Sequence, residues 1–170
     1  MGSPTIFLIA GPNGAGKTTF ARQFLSVVHP ALAFLNADEI QGELAEFSHP
    51  VRAGRELLRR MSEYEALGQE FAVETTLSSM MYARRISKWH ASGFRIVLHF
   101  IELPSADYAV QRVSRRTAAG GHPIAEDDIR RRFERGRRLF EEPYKGLVDQ
   151  WYHWQSDDGG LSLVELGRND

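Results

Sequence analysis

A chain of 170 residues with 42% hydrophobic and 25% charged residues has the size and make-up of one globular domain with an ordinary core. Its net charge of −1 argues against a nucleic-acid or membrane partner recruited by overall electrostatics, and the absence of cysteine removes disulfides, thiolate nucleophiles and cysteine zinc sites together. The start Met1-Gly2-Ser3-Pro4 carries no signal region and no apolar run is long enough to span a bilayer, so a cytoplasmic protein is expected.

In chain order, the first element is a short apolar, β-branched run, Thr5-Ile6-Phe7-Leu8-Ile9-Ala10, which reads as a buried strand. Gly11-Pro12-Asn13-Gly14-Ala15-Gly16-Lys17-Thr18 follows, a complete G-x-x-x-x-G-K-[ST] phosphate loop. Helical spacing resumes from Thr19, so the motif sits in the strand–loop–helix context that it needs. The glycines let the backbone wrap so that N–H groups face phosphate oxygens, and the next helix adds its positive end. Residues 11–19 are therefore the expected nucleotide-binding set. Within it Lys17 reaches the β/γ-phosphates and the Thr18 hydroxyl is offered to Mg²⁺. ATP or GTP with Mg²⁺ is the implied ligand.

The remaining strands are expected at Ala31–Leu35, Phe71–Glu74, Phe94–Ile101, Trp151–Trp154 and Leu161–Leu166. Helices are expected at 16–27, 37–47, 51–68, 80–92, 105–119 and 126–141, with Gly68, Gly93 and Gly146 at helix stops. Alternation of this kind predicts an α/β, three-layer sandwich: a mostly parallel sheet with helices on both faces and its ligand beyond the carboxyl ends of the strands. Asp38 follows the second strand, and Glu74-Thr75-Thr76 ends the third. Either position could simply cap a helix. Beside a phosphate loop, both carboxylates would ring the γ-phosphate, where one can take a proton from an attacking hydroxyl or hold Mg²⁺ through water.

Arginines crowd the last third. Arg112, Arg115 and Arg116 close one helix, and Arg130, Arg131, Arg132, Arg135, Arg137 and Arg138 lie on the next, across a connector containing Gly120-Gly121-His122. On a helical wheel Ile129, Phe133, Gly136 and Phe140 share one face. Arg130, Arg132 and Arg137 flank that stripe; Arg131, Arg135 and Arg138 point away, some toward acids such as Glu134 or Glu141. A solvated basic face or an RNA-binding patch is the plain alternative. The arrangement is also that of a mobile lid, over roughly residues 112–138, whose planar guanidinium forks grip phosphate and exclude water. The six histidines lack metal-ligand spacing, and Trp151, Tyr152 and Trp154 read as core or nucleotide-flanking packing. No strand ends in Asp-Glu; Glu102 is a weak substitute. The guanine reader of GTPases and the signature of transporter ATPases are both absent, which favours a small kinase.

This ordered set resembles the compact branch of the zeta toxin family, P-loop kinases related to chloramphenicol phosphotransferase. The set is the phosphate loop, Asn36-Ala37-Asp38-Glu39-Ile40, Phe71–Ser78, Arg112-Val113-Ser114-Arg115-Arg116, Gly120-Gly121-His122 and Ile129–Phe133. The resemblance covers nearly all of 1–170 and implies a single P-loop kinase domain. It implies transfer of the ATP γ-phosphate to the 3′-hydroxyl of the amino sugar in UDP-N-acetylglucosamine. By the same likeness Asp38 is the general base and Glu74 a substrate-holding carboxylate, with Thr75 and Thr76 beside it. Arg116, with Arg115 as neighbour, is the first lid arginine; the second is not fixed, with His122 in its place on the connector and Arg130 or Arg132 as substitutes. An antitoxin partner is typical of the family. The competing readings are a kinase for another metabolite or an antibiotic, a polynucleotide 5′-hydroxyl kinase, and a non-catalytic ATP-binding module.

Overall fold

The computed structural model describes residues 2–44 and 50–169. Six strands, β1 (Thr5–Ala10), β2 (Ala33–Leu35), β3 (Phe71–Thr75), β4 (Arg95–Glu102), β5 (Gln150–Asp157) and β6 (Gly160–Arg168), form one sheet in the order β2-β3-β1-β4-β5-β6. Every pairing is parallel except that of β5 with β6, a hairpin whose register shifts between His153 and Trp154. The chain leaves β1 toward one side of the sheet and returns to build β4 on the other, so the crevice at the carboxyl end of β1 is the topological switch point.

The three central strands are apolar almost throughout because helices cover both of their faces. On one face Ile6, Leu8, Phe71, Val73, Ile96 and Leu98 pack with side chains of α3 (Ala37–Glu43), α4 (Pro50–Ala66) and α5 (Met81–Ala91). On the other, Phe7, Ile9, Ala72, Val97 and Ile101 meet Phe20, Leu25, Ala109 and Val113. These come from α1 (Lys17–Phe20), which runs through a π-helical turn at Ala21–Leu25 into α2 (Ser26–Val28), and from α6 (Ala106–Ala118). Truncating one of these buried side chains, Leu8→Ala for example, carries the usual core penalty of about 2–5 kcal/mol.

The predicted elements are present with shifted ends. β2 starts at Ala33 rather than Ala31, and β5 and β6 extend beyond the expected spans. The helix expected over 37–47 is seen as α3 to Glu43; residues 45–47 of that expectation lie outside the described residues. α7 (Glu126–Leu139) is followed by a π-helical turn, Phe140–Tyr144, that kinks at Glu142. Gly68 and Gly93 stand at helix stops as expected, whereas Gly146 sits inside a further short turn, α8 (Lys145–Leu147). Trp154 and Tyr152 prove to be packing residues: Tyr152 stacks on buried His99 with centroids 4.7 Å apart, and Trp154 lies against Phe20 and Phe24. The Trp154 indole donates to His99 Nδ1 at 3.2 Å, and burial pushes the His99 pKa down to about 3, so this ring stays neutral. Among the described residues no helix is long and apolar enough to cross a membrane.

Candidate active site

The phosphate loop joins β1 to α1 and is tight for a steric reason. Gly11, Gly14 and Gly16 all turn at positive φ, and a Cβ at Gly11 would stand 2.3 Å from the Ile101 carbonyl oxygen on β4. Only glycine lets the loop pass so close to the neighbouring strand. The loop curls back on itself through the Ala15 N–H, which donates to the Pro12 carbonyl at 3.2 Å.

Lys17 opens the helix that follows, yet it is only 6% exposed. Its Nζ donates to the Pro12 carbonyl at 2.9 Å and lies 3.7 Å from Glu74 Oε1. Burial pulls the Lys17 pKa below the lysine range and Arg116 pulls in the same direction; the Glu74 and Asp38 carboxylates oppose both.

Glu74 is the hub. Its position follows from register: Glu74 pairs with Ile9 across the sheet, two residues before the phosphate loop begins. The Thr18 hydroxyl donates to Glu74 Oε2 at 2.7 Å, and Asn36 Nδ2 donates to the same oxygen at 2.8 Å. Asn36 has a second role. It is the N-cap of α3, where its Oδ1 accepts the Asp38 N–H at 2.8 Å, a contact worth about 1 kcal/mol to a helix start. The cap is thus Asn36, and the Asp38 side chain is left for other work. Asp38 is exposed, and among the described residues no hydrogen bond or ion pair holds its carboxylate, although it is near enough to act on Lys17. Glu39, beside it, is tied to Arg22.

These groups open on a cavity of 270 Å³ lined by Gly14, Gly16, Lys17, Thr18, Thr19, Glu74, Arg112 and Arg116. The cavity brings together a buried lysine, a threonine hydroxyl against a carboxylate, and two guanidinium groups from α6. That donor set suits a polyphosphate and its magnesium. Thr18 and Glu74 are an oxygen pair at the mouth of the loop, and Mg²⁺ takes carboxylate and hydroxyl oxygens. Thr75 and Thr76 follow Glu74 on the same edge, half-buried; the Thr75 hydroxyl accepts the Leu77 N–H, and the Thr76 hydroxyl bonds that of Ser78.

The arginines divide sharply. Arg116 lines the cavity from the last turn of α6; Arg115 is exposed and does not. His122 is exposed on the connector, its carbonyl accepting from the Thr117 hydroxyl, and it does not line the cavity either. Arg132 reaches the loop, Nη1 to Asn13 Oδ1 at 3.4 Å. Arg130 does not line the cavity, contrary to the wheel: it pairs with Asp107 at the start of α6 and with Glu126 at the start of its own helix. Arg137 is bound to Glu102 at 2.9 Å, and His153 takes the other oxygen of that carboxylate at 2.7 Å. Glu102 is therefore spent on these two partners, which hold its pKa below the carboxylate range, the His153 bond first. Two contributors lacked an assigned role at the level of sequence. Arg112 stands one turn before Arg116, a spacing that puts both on one face, and it lies against Gly14 with a bond to Ser156 at 3.3 Å. Asn36 takes the cap position that the sequence offered to Asp38, and its reach to Glu74 depends on β2 pairing with β3.

A model of the zeta toxin family matches residues 1–146, the span that contains the loop, Asp38, Glu74 and both arginine helices. The chain belongs to the zeta toxin family. It is thereby a member of a family of kinase-like, ATP-using phosphotransferases. A protein of Haemophilus influenzae of uncharacterised function is 27% identical over 132 residues, 72% of this chain and 88% of that protein. Among solved structures, a chain of the AvrRxo1-ORF1:ORF2 complex crystallised with ATP superposes with a TM-score of 0.72 at 17% identity, covering 97% of this chain and 58% of that one. A chain of the PezAT chromosomal toxin–antitoxin system of Streptococcus pneumoniae gives 0.66 at 18% identity, covering 97% and 72%. A chain of the Pnkp1/Rnl/Hen1 RNA repair complex gives 0.68 at 19% identity, covering 84% and 47%. These likenesses show that the zeta toxin family member has the α/β fold of P-loop kinases. The chain spans less than two thirds of the AvrRxo1 and RNA-repair chains it resembles.

Proposed function

We propose that this protein transfers the γ-phosphate of ATP to a hydroxyl of a UDP-activated amino sugar of the UDP-N-acetylglucosamine kind. The observation that carries the reading is the contrast between the two carboxylates that act on Lys17. Glu74 is engaged by Thr18 and Asn36, while Asp38 is left unengaged at the start of α3. A protein that only bound ATP would need Lys17 and Thr18 but no free carboxylate facing them.

In this reading the phosphate loop, Lys17 and Arg116 hold the triphosphate and spread the charge that builds on the transferring group. Thr18 and Glu74 would hold Mg²⁺, which supplies charge neutralisation between the phosphates when bound. Asp38 takes the proton of the acceptor hydroxyl. Thr75 and Thr76 offer hydroxyls to the polar acceptor, and Glu74 serves both substrates. Arg132 is the second lid cation, because it touches the phosphate loop, and Arg115 and His122 are assigned to solvent. An antitoxin covering this cavity is the partner the family suggests, and a small-molecule acceptor rather than nucleic acid fits the net charge of −1.

The test is incubation with ATP, magnesium and a panel of UDP-sugars, followed by mass spectrometry. A gain of one phosphate on a UDP-amino sugar, absent with Asp38→Asn, is the expected result. Phosphate gain only on a 5′-hydroxyl oligonucleotide would replace the acceptor, and ATP binding with no transfer to any hydroxyl would reduce the protein to a binding module.

A further inference from the structure

Helix α7 is not confined to one side of the sheet. Ile129 and Phe133 belong to the core on one face, and Leu139 and Phe140 to the core on the other. The helix therefore passes over the carboxyl edge of the strands, and Gly136 lies at the crossing. A Cβ there would stand 2.6 Å from the Thr76 carbonyl oxygen. A carbon needs about 3.3–3.6 Å from a carbonyl oxygen. The obstacle is backbone and cannot swing aside, so any side chain at 136 must push the helix and the loop apart.

The same stretch grips its surroundings at three more points. Arg132 reaches Asn13 in the phosphate loop, Arg137 binds Glu102 at the end of β4, and the Tyr144 hydroxyl donates to the Ser79 carbonyl at 2.6 Å. The loop between Thr76 and Ser79 has little slack. Leu77 is buried at φ 55, an unusual conformation for a residue with a side chain, and its N–H is held by the Thr75 hydroxyl at 3.0 Å. A displaced helix must carry the loop with it or tear these bonds.

We propose that Gly136, with Tyr144 behind it, is a positioning residue that sets the distance between the loop at 75–79 and the phosphate loop. One helix then fixes both the seat of the acceptor hydroxyl and the arginine above the phosphates. This rests on the reading that Glu74, Thr75 and Thr76 face the acceptor. It adds that acceptor fit and lid placement are a single mechanical adjustment, and that the small residue at 136 is what permits it.

The test is Gly136→Ala, assayed with ATP and UDP-N-acetylglucosamine. Helix propensity alone favours alanine, so a loss cannot come from the helix itself. The expected result is an acceptor KM raised about tenfold and a kcat lowered about tenfold or more, with ATP Kd changed less than about twofold. In an Arg132→Ala background the kcat effect shrinks and the KM effect stays. Hydrogen exchange at the Leu77 amide, measured without any acceptor, is expected to quicken by more than the accompanying drop in the urea midpoint accounts for. Tyr144→Phe frees the same loop from its other pin and should raise acceptor KM alone; it carries the test if Gly136→Ala does not fold. Unchanged acceptor KM together with unchanged Leu77 exchange overturns the proposal. So does a loss of kcat that leaves both KM values alone and is as large without Arg132, for that marks a purely structural glycine. If the wild-type protein phosphorylates no UDP-sugar, the acceptor reading fails in that control, and the exchange measurement still decides the role of Gly136.

Discussion

Two helices carry nearly all the arginine in the last third of the chain, and they use it differently. α6 turns Arg112 and Arg116 into the cavity beside Lys17. α7 has twice as many arginines, yet only Arg132 touches the phosphate loop; Arg130, Arg131 and Arg137 are neutralised by Asp107, Glu126, Asp128 and Glu102. A count of positive charge would give α7 the larger role. What decides is register against the apolar stripe and the presence of an acid within reach: an exposed, paired arginine contributes little, while one beside a buried lysine raises the local potential. Arg116 adds to the effect of burial in pulling the Lys17 pKa down.

The largest expected effect lies with the cation that both helices serve. Lys17→Ala should lower kcat roughly a hundredfold or more, because the charge on the transferring group loses its nearest compensation. The fold should survive, since among the described residues the Lys17 side chain makes one hydrogen bond to backbone and one ion pair. Steady-state turnover alongside a thermal melt checks both halves. Arg116→Lys comes next. It keeps the charge but not the planar fork, and should cost about tenfold in kcat with a smaller change in ATP Kd. If Arg116→Lys is silent and an α7 variant is crippled, the comparison between the helices is inverted.

A finer test uses protons. In the free protein the Lys17 pKa lies below the lysine range, so on the alkaline side part of the population is neutral there. Bound phosphate favours the charged form, so ATP binding should take up a proton at those pH values, and affinity should fall as pH rises through the lowered pKa. Calorimetry in buffers of different ionisation enthalpy reads the uptake directly. Removing Arg116 lifts one cause of the depression and should shrink the uptake. The smallest expected effect is that of Arg138→Ala, on the outward face of α7, which should leave kcat and uptake unchanged.

The same contrast shows how far the sequence could be read. The phosphate loop was legible because its chemistry is local: eight consecutive residues dictate both the turn and the contacts. The layered, mostly parallel sheet was legible because apolar strands alternate with amphipathic helices. That Asp38 and Glu74 both come near enough to act on Lys17 could be anticipated only through strand order. What escaped depends on tertiary register. Arg130 sits on the predicted flank but finds Asp107, a residue of another helix, before it could find the site. Asn36 takes the cap that was expected at Asp38, and its second bond to Glu74 exists because Leu35 pairs with Val73. Gly136 reads as one small residue in an apolar stripe, and its contact with Thr76 appears only once α7 is seen to cross the sheet.

Asp38 is proposed as the proton acceptor of a phosphoryl transfer and not as part of the nucleotide site. Asp38→Asn is nearly isosteric, and the helix start is capped by Asn36, so folding should be untouched. The decisive measurement is kcat and ATP Kd of this one variant with UDP-N-acetylglucosamine as acceptor. A proton acceptor at this position gives a kcat lower by about a hundredfold or more with ATP Kd unchanged. Loss of ATP binding, or turnover equal to that of the wild-type protein, would contradict it.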